Sequence, residues 1–261
     1  MTGRIGFAAM GLAVGLLSVF TIVCPGVAEA PRDDGEVIIA QTKNAAFELD
    51  AYLKSIPKGS RPDFSKAPAS DLLNRIFDFK RLAALPPEHS EDLPWLLDWI
   101  DLANGVNKSI LFFGVASPTA ALDDPALINR NLADFEDQLA AAGDFLIRVS
   151  ARRIGAATAL MTGLPPAQRT AIRIDAFRHL RSADAEQIRN FAGWIAAGMK
   201  PANALRVSVA IRDTSAVWAT ALLPADHQDV VDALEAAKAS VNDEETRNNL
   251  SSLSVRLAKG K

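Results

Sequence analysis

The most regular hydrophobic pattern lies in the middle of the chain, between residues 123 and 166. Asp123, Asp124 and Pro125 predict the start of a helix there, because acidic residues and proline suit the first helical turn. The sequence Gly-Leu-Pro-Pro at 163–166 predicts its end. Between them, apolar residues spaced alternately by four and three predict a seam of about six turns, typical of helices that pack at a shallow angle. The residues of this seam are Ile128, Leu132, Phe135, Leu139, Ala142, Leu146 and Val149.

Shorter apolar patterns predict further helices on either side, separated by prolines and glycines. Residues 31–42 are predicted to form a short mixed segment with a β-like run of Val and Ile. Asp184 and Asn242 are predicted to cap helices, because Gln or Glu follows each of them three positions later. Ile174 and Phe177 are predicted to face inward. The predicted helical segments are 44–56, 70–85, 90–102 with its continuation at 110–114, 167–180, 184–198, 226–241 and a last helix from 242.

Residues 201–222 fit two structures. The alternating apolar residues of Leu205–Ile211 are typical of a strand, whereas Ala204 and Ile211 share one face of a helix. A single strand cannot satisfy its own backbone hydrogen bonds, and the run at 37–39 would have to be its partner. We therefore predict a helix, with a small sheet as the alternative.

Together these patterns predict an all-α fold, an irregular antiparallel bundle of about eight helices after an N-terminal signal peptide. We predict three parts: a signal peptide at 1–28, an N-terminal segment at 29–68 with one helix and a proline-rich linker, and a helical domain at 69–261. Leu-Pro pairs recur, but without a fixed period, so a solenoid is not expected.

The first residues have the pattern of a secretory signal peptide. Arg4 is followed by an apolar run over 5–23, a Pro-Gly pair and small residues. We predict cleavage after Ala28, because a cut after Ala30 would leave Pro31 at the new N-terminus. The cleaved protein would be periplasmic or secreted, depending on the host. The alternative is an uncleaved anchor, because the apolar run approaches the roughly 17–25 residues of a membrane-spanning helix.

The composition is that of an ordinary globular protein, with 49% hydrophobic and 23% charged residues. A formal net charge of −3 gives no overall bias towards nucleic acid or membranes. Cys24 is the only cysteine and lies within the predicted signal peptide, so the exported chain would depend on its apolar core rather than on disulfides. Lipid attachment at Cys24 is not expected, because Val23 stands where a lipoprotein signal needs a small residue.

Charge is distributed unevenly along the chain. Residues 148–189 contain eight arginines and three acidic residues, whereas 88–101 and 123–144 are acidic. These segments either pair within the bundle and suit the helix dipoles, or the arginines form a face for an anionic partner such as a phospholipid or an acidic glycan. Nucleic acid is not expected, because the interleaved aromatic residues are predicted to face inward. The candidate binding residues are Arg169, Arg173, Arg178 and Arg181.

The three histidines are the other candidates for chemistry. His89 and His227 each follow a Leu-Pro-x-acid sequence, which is typical of a helix N-terminus, so both are expected to be solvated first-turn residues. The alternative is a metal site that the two share, although zinc usually needs three or four ligands. His179 lies among arginines that disfavour its charged form, but no nucleophile accompanies it. Neither a metal nor a cofactor is predicted.

The sequence contains no catalytic or nucleotide-binding motif and none specific to a known family. We therefore expect an exported all-helical protein with a non-enzymatic binding or protein-interaction role in the cell envelope. Its partner would be an envelope protein or an anionic ligand, and membrane association is expected only through an uncleaved signal. The alternative is an enzyme or metal-binding protein with a site between helices, built from His89 and His227.

Overall fold

The computed structural model of the chain describes residues 33–57, 60–83, 100–105, 130 and 133–259. Regular structure within these residues is helical and includes no strand, which confirms the all-α prediction. No helix in this part of the chain is both long and apolar enough to cross a bilayer. Short 3₁₀ turns precede α5 and α7, and residues 100–105 are also helical. The helices are α1 (Asp33–Ser55), α2 (Ala69–Ile76), α3 (Phe79–Ala83), α4 (Glu136–Gly163), α5 (Ala171–Ala196), α6 (Pro201–Ala221), α7 (His227–Ser240) and α8 (Glu244–Lys259).

The helices from α4 onwards pack as a ring around one core. α4 lies mainly against α6, α6 against α8, α8 against α7, and α7 against α5. α4 and α5 close the ring through a smaller contact, although one loop joins them. Trp218 of α6 is fully buried in the core, and its Nε1 donates to Thr214 Oγ1 at 2.8 Å. α1 packs on α2, and α3 contacts α4.

The central apolar seam is confirmed where it can be observed. Its members from Phe135 to Val149 are all buried, and α4 ends at the predicted glycine, Gly163. Ile128 and Leu132 lie outside the described residues, as do the predicted helix start at 123–125 and the predicted signal peptide.

The mixed segment predicted at 31–42 is wrong from residue 33 onwards, because α1 begins there. The apolar pattern of α1 is hard to recognise in the sequence, because the polar residue Thr42 occupies a buried position. Its hydroxyl donates to the carbonyl of Ile38 at 2.9 Å, which satisfies the group without leaving the helix. The buried seam consists of Ile39, Thr42, Ala45, Ala46, Leu49 and Leu53.

The single helix predicted over 70–85 is broken into α2 and α3. Phe77 and Phe79, on either side of the break, both place their rings against Phe145 of α4, with centroid distances of 5.7 and 6.2 Å. In a continuous helix these two side chains would point about 200° apart and could not share a partner. The break therefore allows both aromatic rings to pack against α4, which holds α2 and α3 on that helix.

The two helices predicted over 167–180 and 184–198 form one helix, α5. The predicted cap at Asp184 is wrong, because Asp184 lies in mid-helix and is fully buried. Its carboxylate pairs with Arg153 of α4 instead of with a main-chain amide. α5 begins after Thr170, whose hydroxyl oxygen accepts a hydrogen bond from the main-chain N–H three residues on, at 3.4 Å.

The ambiguous segment is helical, so the strand alternative is wrong. α6 covers it from Pro201 to Ala221, and the run at 37–39 that would have paired with it belongs to α1. Val207, Ile211 and Trp218 lie buried along one face of α6. Tertiary burial of that face decides between two patterns that local sequence supports about equally.

α8 is capped by Asp243 rather than by Asn242. The Asp243 carboxylate accepts hydrogen bonds from the hydroxyl and the main-chain N–H of Thr246, at 2.6 and 2.7 Å. These two bonds lower the pKa of Asp243. The predicted cap is wrong by one residue, because asparagine and aspartate are equally good caps and stand next to each other.

Replacing Asp243 with alanine should therefore lower the urea midpoint of unfolding, because the first turn of α8 loses its cap. Asn242→Ala is the matched control and should have little effect. Urea unfolding of both variants measures the difference in the free energy of unfolding. Equal losses at the two positions would contradict the assignment.

Two glycines in α4 should respond in opposite ways to alanine. A Cβ at Gly143 would lie 2.6 Å from Cε1 of Phe191, whereas a Cβ at Gly155 would have no such neighbour within 4 Å. Gly143→Ala should cost about 1–3 kcal/mol, because the buried Phe191 ring must move. Gly155→Ala should stabilise by about 0.5–1 kcal/mol, because alanine favours the helix.

Thermal and urea unfolding of the two glycine variants test this contrast. A stable Gly143→Ala protein would show that α5 does not approach α4 as closely as the structure describes.

Candidate functional site

The end of the α4–α5 hairpin stands outside the core. Residues 158–175 form the last turns of α4, the connecting loop and the first turn of α5, and none of them is buried. Ala157 and Ala176, on either side, are buried. We call residues 158–175 the α4–α5 tip.

Two isoleucines in this tip are exposed on opposite sides of α5. Ile172 is 64% exposed and Ile174 is 51% exposed. Residues two apart in a helix point about 200° apart, so a helix lying along the bundle would bury one of them. The first turn of α5 therefore stands clear of the bundle. The inward position predicted for Ile174 is wrong, whereas Phe177 is partly buried against the core.

Arg169 and Arg173 hold the main chain of the tip. Arg169 donates from Nε to the carbonyl of Leu164 at 2.8 Å and from Nη2 to that of Thr162 at 2.9 Å. Arg173 donates from Nη1 to the carbonyl of Gln168 at 2.8 Å. Helix C-termini leave their last carbonyls without helical partners, and arginine satisfies two of them here.

The other two candidate arginines lie further along α5. Arg178 pairs with Asp175, one turn before it, and remains exposed. Arg181 donates to the carbonyls of Ala221 and Leu222 and so caps the end of α6. Of the four predicted binding residues, Arg169 thus lies in the loop of the tip and Arg173 in the first turn of α5, while Arg178 and Arg181 follow on α5 and Arg181 is fixed against α6.

Other arginines pair with acidic residues across the contact between α4 and α6. Arg148 of α4 bonds to Asp144 at 2.8 Å and to Asp213 of α6 at 3.0 Å. Arg206 reaches the same Asp144 at 3.1 Å. Burial raises the pKa of Asp213, but hydrogen bonds from Arg212 and Arg148 outweigh it and lower that pKa overall. These ion pairs hold α4 against α6.

A buried polar cluster joins α4 to α5. Arg153 is paired with Asp184, and Ser150 Oγ donates to Gln187 Oε1 at 3.3 Å. Asp184 Oδ2, Arg153 Nε and Gln187 Nε2 are buried without a hydrogen-bond partner. Burial raises the pKa of Asp184 to about 6, although the Arg153 charge acts in the opposite direction. Arg153 and Asp184 are buried, so their pair has the character of a structural contact.

The histidines do not converge on a metal site within the described residues. His227 is buried, contrary to the solvated position expected for it, and its Nε2 has no hydrogen-bond partner. His179 is exposed, with Nδ1 3.5 Å from Asp175 Oδ2. In the described ranges no three His, Cys, Asp or Glu residues are placed to hold a metal. His89 lies outside those ranges.

An open groove of about 280 Å³ lies between α2, α4 and α6. Its lining includes Asp137 and Arg206 together with apolar residues of α2. Hydrogen bonds from Asn203 and Lys200, at 2.8 and 3.2 Å, lower the pKa of Asp137 and keep it charged. Both bonds are accepted by Oδ1 of Asp137, and the described lining of the groove contains no histidine, serine or cysteine.

Comparison with known proteins gives no match to a family model, to a curated protein or to a solved structure. Function is therefore inferred from the geometry of the chain itself. Of the features described, the α4–α5 tip is the one that combines exposure, apolar surface and positive charge.

The stability of the protein relative to an Asp184→Asn variant should fall as the pH rises from about 4 to about 6. In that interval the folded state holds a proton on Asp184, whose pKa is raised to about 6, while the unfolded chain has released it. Raising the pH therefore disfavours folding, with a slope approaching about 1.4 kcal/mol per pH unit.

Urea unfolding at several pH values tests this, because other carboxylates cancel in the difference between the two proteins. If the unmodified protein instead becomes more stable relative to the Asp184→Asn variant as the pH rises, the Arg153 charge outweighs burial at Asp184.

Proposed function

We propose that this chain is exported to the cell envelope and acts there as a non-enzymatic binding protein, with the α4–α5 tip contacting an anionic partner. The observation that carries the proposal is the exposure of Ile172 and Ile174 on opposite sides of a helix end that also holds Arg169 and Arg173. Exposed apolar side chains grouped with charge are typical of interaction surfaces.

The tip is ordered before any partner arrives. The arginine side chains hold the carbonyls of its loop, and Thr170 caps the first turn of α5. Pro165 and Pro166 restrict the backbone between the helices. A preformed surface loses less conformational entropy on binding than a flexible loop does.

The charge of the tip and of the next turns of α5 suits an anion. Arg169, Arg173 and Arg178 are opposed locally by Asp175 alone among the residues from 158 to 178. A guanidinium carries five N–H groups, so holding one or two carbonyls leaves it able to donate to an anionic oxygen.

The predicted signal peptide, cleaved after Ala28, supports a place in the envelope. The enzymatic or metal-binding alternative has weaker support, because His227 is buried and no three metal-ligating residues converge in the described part of the chain. His89, its proposed companion, lies outside that part.

Photocrosslinking in the native compartment tests the proposed function. A photoreactive phenylalanine analogue replaces Ile172 in the full-length protein, and Val255 of α8, which is 48% exposed, is the matched control position. We expect crosslinked adducts from position 172 in several-fold excess over position 255, because the tip is the contact surface.

Mass spectrometry of the adducts then shows whether they contain lipid, glycan or protein. Equal adduct yields from the two positions would show that the tip is not the binding surface.

A further inference from the structure

We propose that the anionic partner is the surface of a phospholipid bilayer, into which the α4–α5 tip inserts. This inference rests on the proposed function, because it names the partner of the same surface. The sequence alone predicts membrane association only through an uncleaved signal, whereas the tip supplies a second contact that does not depend on the N-terminus.

The shape of the tip favours a bilayer over a protein partner. Ile172 and Ile174 point to opposite sides of the same helical turn, and Pro165 and Pro166 are exposed beside them. A protein would need a deep groove to cover both sides of this projection. The apolar layer of a membrane surrounds such a projection without any matching shape.

Several main-chain groups in the loop of the tip are hydrogen-bonded from within. The N–H groups of Leu164, Gln168 and Arg169 donate to nearby carbonyls at 3.0, 2.9 and 3.1 Å. Side chains of Arg169 and Arg173 occupy three further carbonyls, and the two prolines have no N–H. A loop in water does not need these bonds, whereas a loop that enters the apolar layer does, because unsatisfied backbone groups are costly there.

The arginines are placed to remain at the lipid headgroups. Arg169 precedes the two isoleucines, Arg173 lies between them, and Arg178 follows one turn nearer the bundle. Arginine side chains keep their charge at the interface while their stems cover apolar surface, and they attract anionic lipids. The tip therefore lies on one leaflet with its apolar residues inserted and its charges at the phosphates.

Vesicle flotation tests the proposal with protein recovered from its exported compartment and with its N-terminus defined by intact mass. The probes are vesicles of phosphatidylglycerol mixed with phosphatidylcholine, and vesicles of phosphatidylcholine alone. We expect binding to the anionic vesicles that weakens with salt. The Ile172→Ser/Ile174→Ser variant should lose about tenfold or more in partitioning, because two apolar side chains no longer enter the bilayer.

The matched control is Val217→Ser/Val255→Ser, which removes two exposed valines outside the tip and should bind as the unmodified protein does. Unfolding curves confirm that each variant is folded. A cysteine at position 172, labelled with an environment-sensitive dye, should shift to the blue on anionic vesicles, and a label at position 255 should not.

The outcomes separate this inference from the proposed function. Undiminished vesicle binding by the isoleucine variant, or no binding to anionic vesicles, overturns the bilayer as partner. If position 172 nevertheless crosslinks to a protein or a glycan in the envelope, the proposed function stands with a different partner. If position 172 gives neither vesicle binding nor specific adducts, both fail.

Discussion

The close contact between α4 and α5 is the constraint on which the rest of the structure depends. Each helix packs mainly on another neighbour, α4 on α6 and α5 on α7, so the two sides of the ring meet where α4 and α5 touch. The ring of Phe191 packs against the backbone of Gly143, which has no side chain in the way. Further along the hairpin, Arg153 pairs with buried Asp184. The first contact is apolar and requires glycine, whereas the second holds two charges away from water and leaves polar atoms unsatisfied.

This constraint also determines where the exposed tip begins. Beyond Ala157 on α4 and Ala176 on α5 no residue of the hairpin is buried, yet both helices continue. At 1.5 Å per residue, the last part of α4 extends about 9 Å past the core. Core packing does not order this extension, so its order comes from local bonds, chiefly those that Arg169 and Arg173 make to loop carbonyls. The tip is thus held by local hydrogen bonds without being buried.

The sequence predicted the features that depend on local pattern: the all-helical class, the buried seam of α4 and its end at Gly163. It failed where one pattern serves two purposes. Asp184 with Gln187 three residues later has the spacing of a capping box, but the same spacing directs both side chains at Ser150 and Arg153 across the helix interface. Only the tertiary contact distinguishes these uses. The exposed pair Ile172 and Ile174 did carry a signal, since residues two apart cannot share one helix face.

The choice of arginine links the architecture of the tip to its charge. A lysine ammonium is a compact point charge, whereas the planar guanidinium of Arg169 reaches two carbonyls at once and still carries further N–H groups. The same side chain can therefore close the end of α4 and present positive charge to an anion. Because the loop is held by the residues that carry its charge, the position of that charge relative to the isoleucines is fixed by the fold. Arg169 and Arg173 consequently both hold the loop of the tip in place and give it its positive charge.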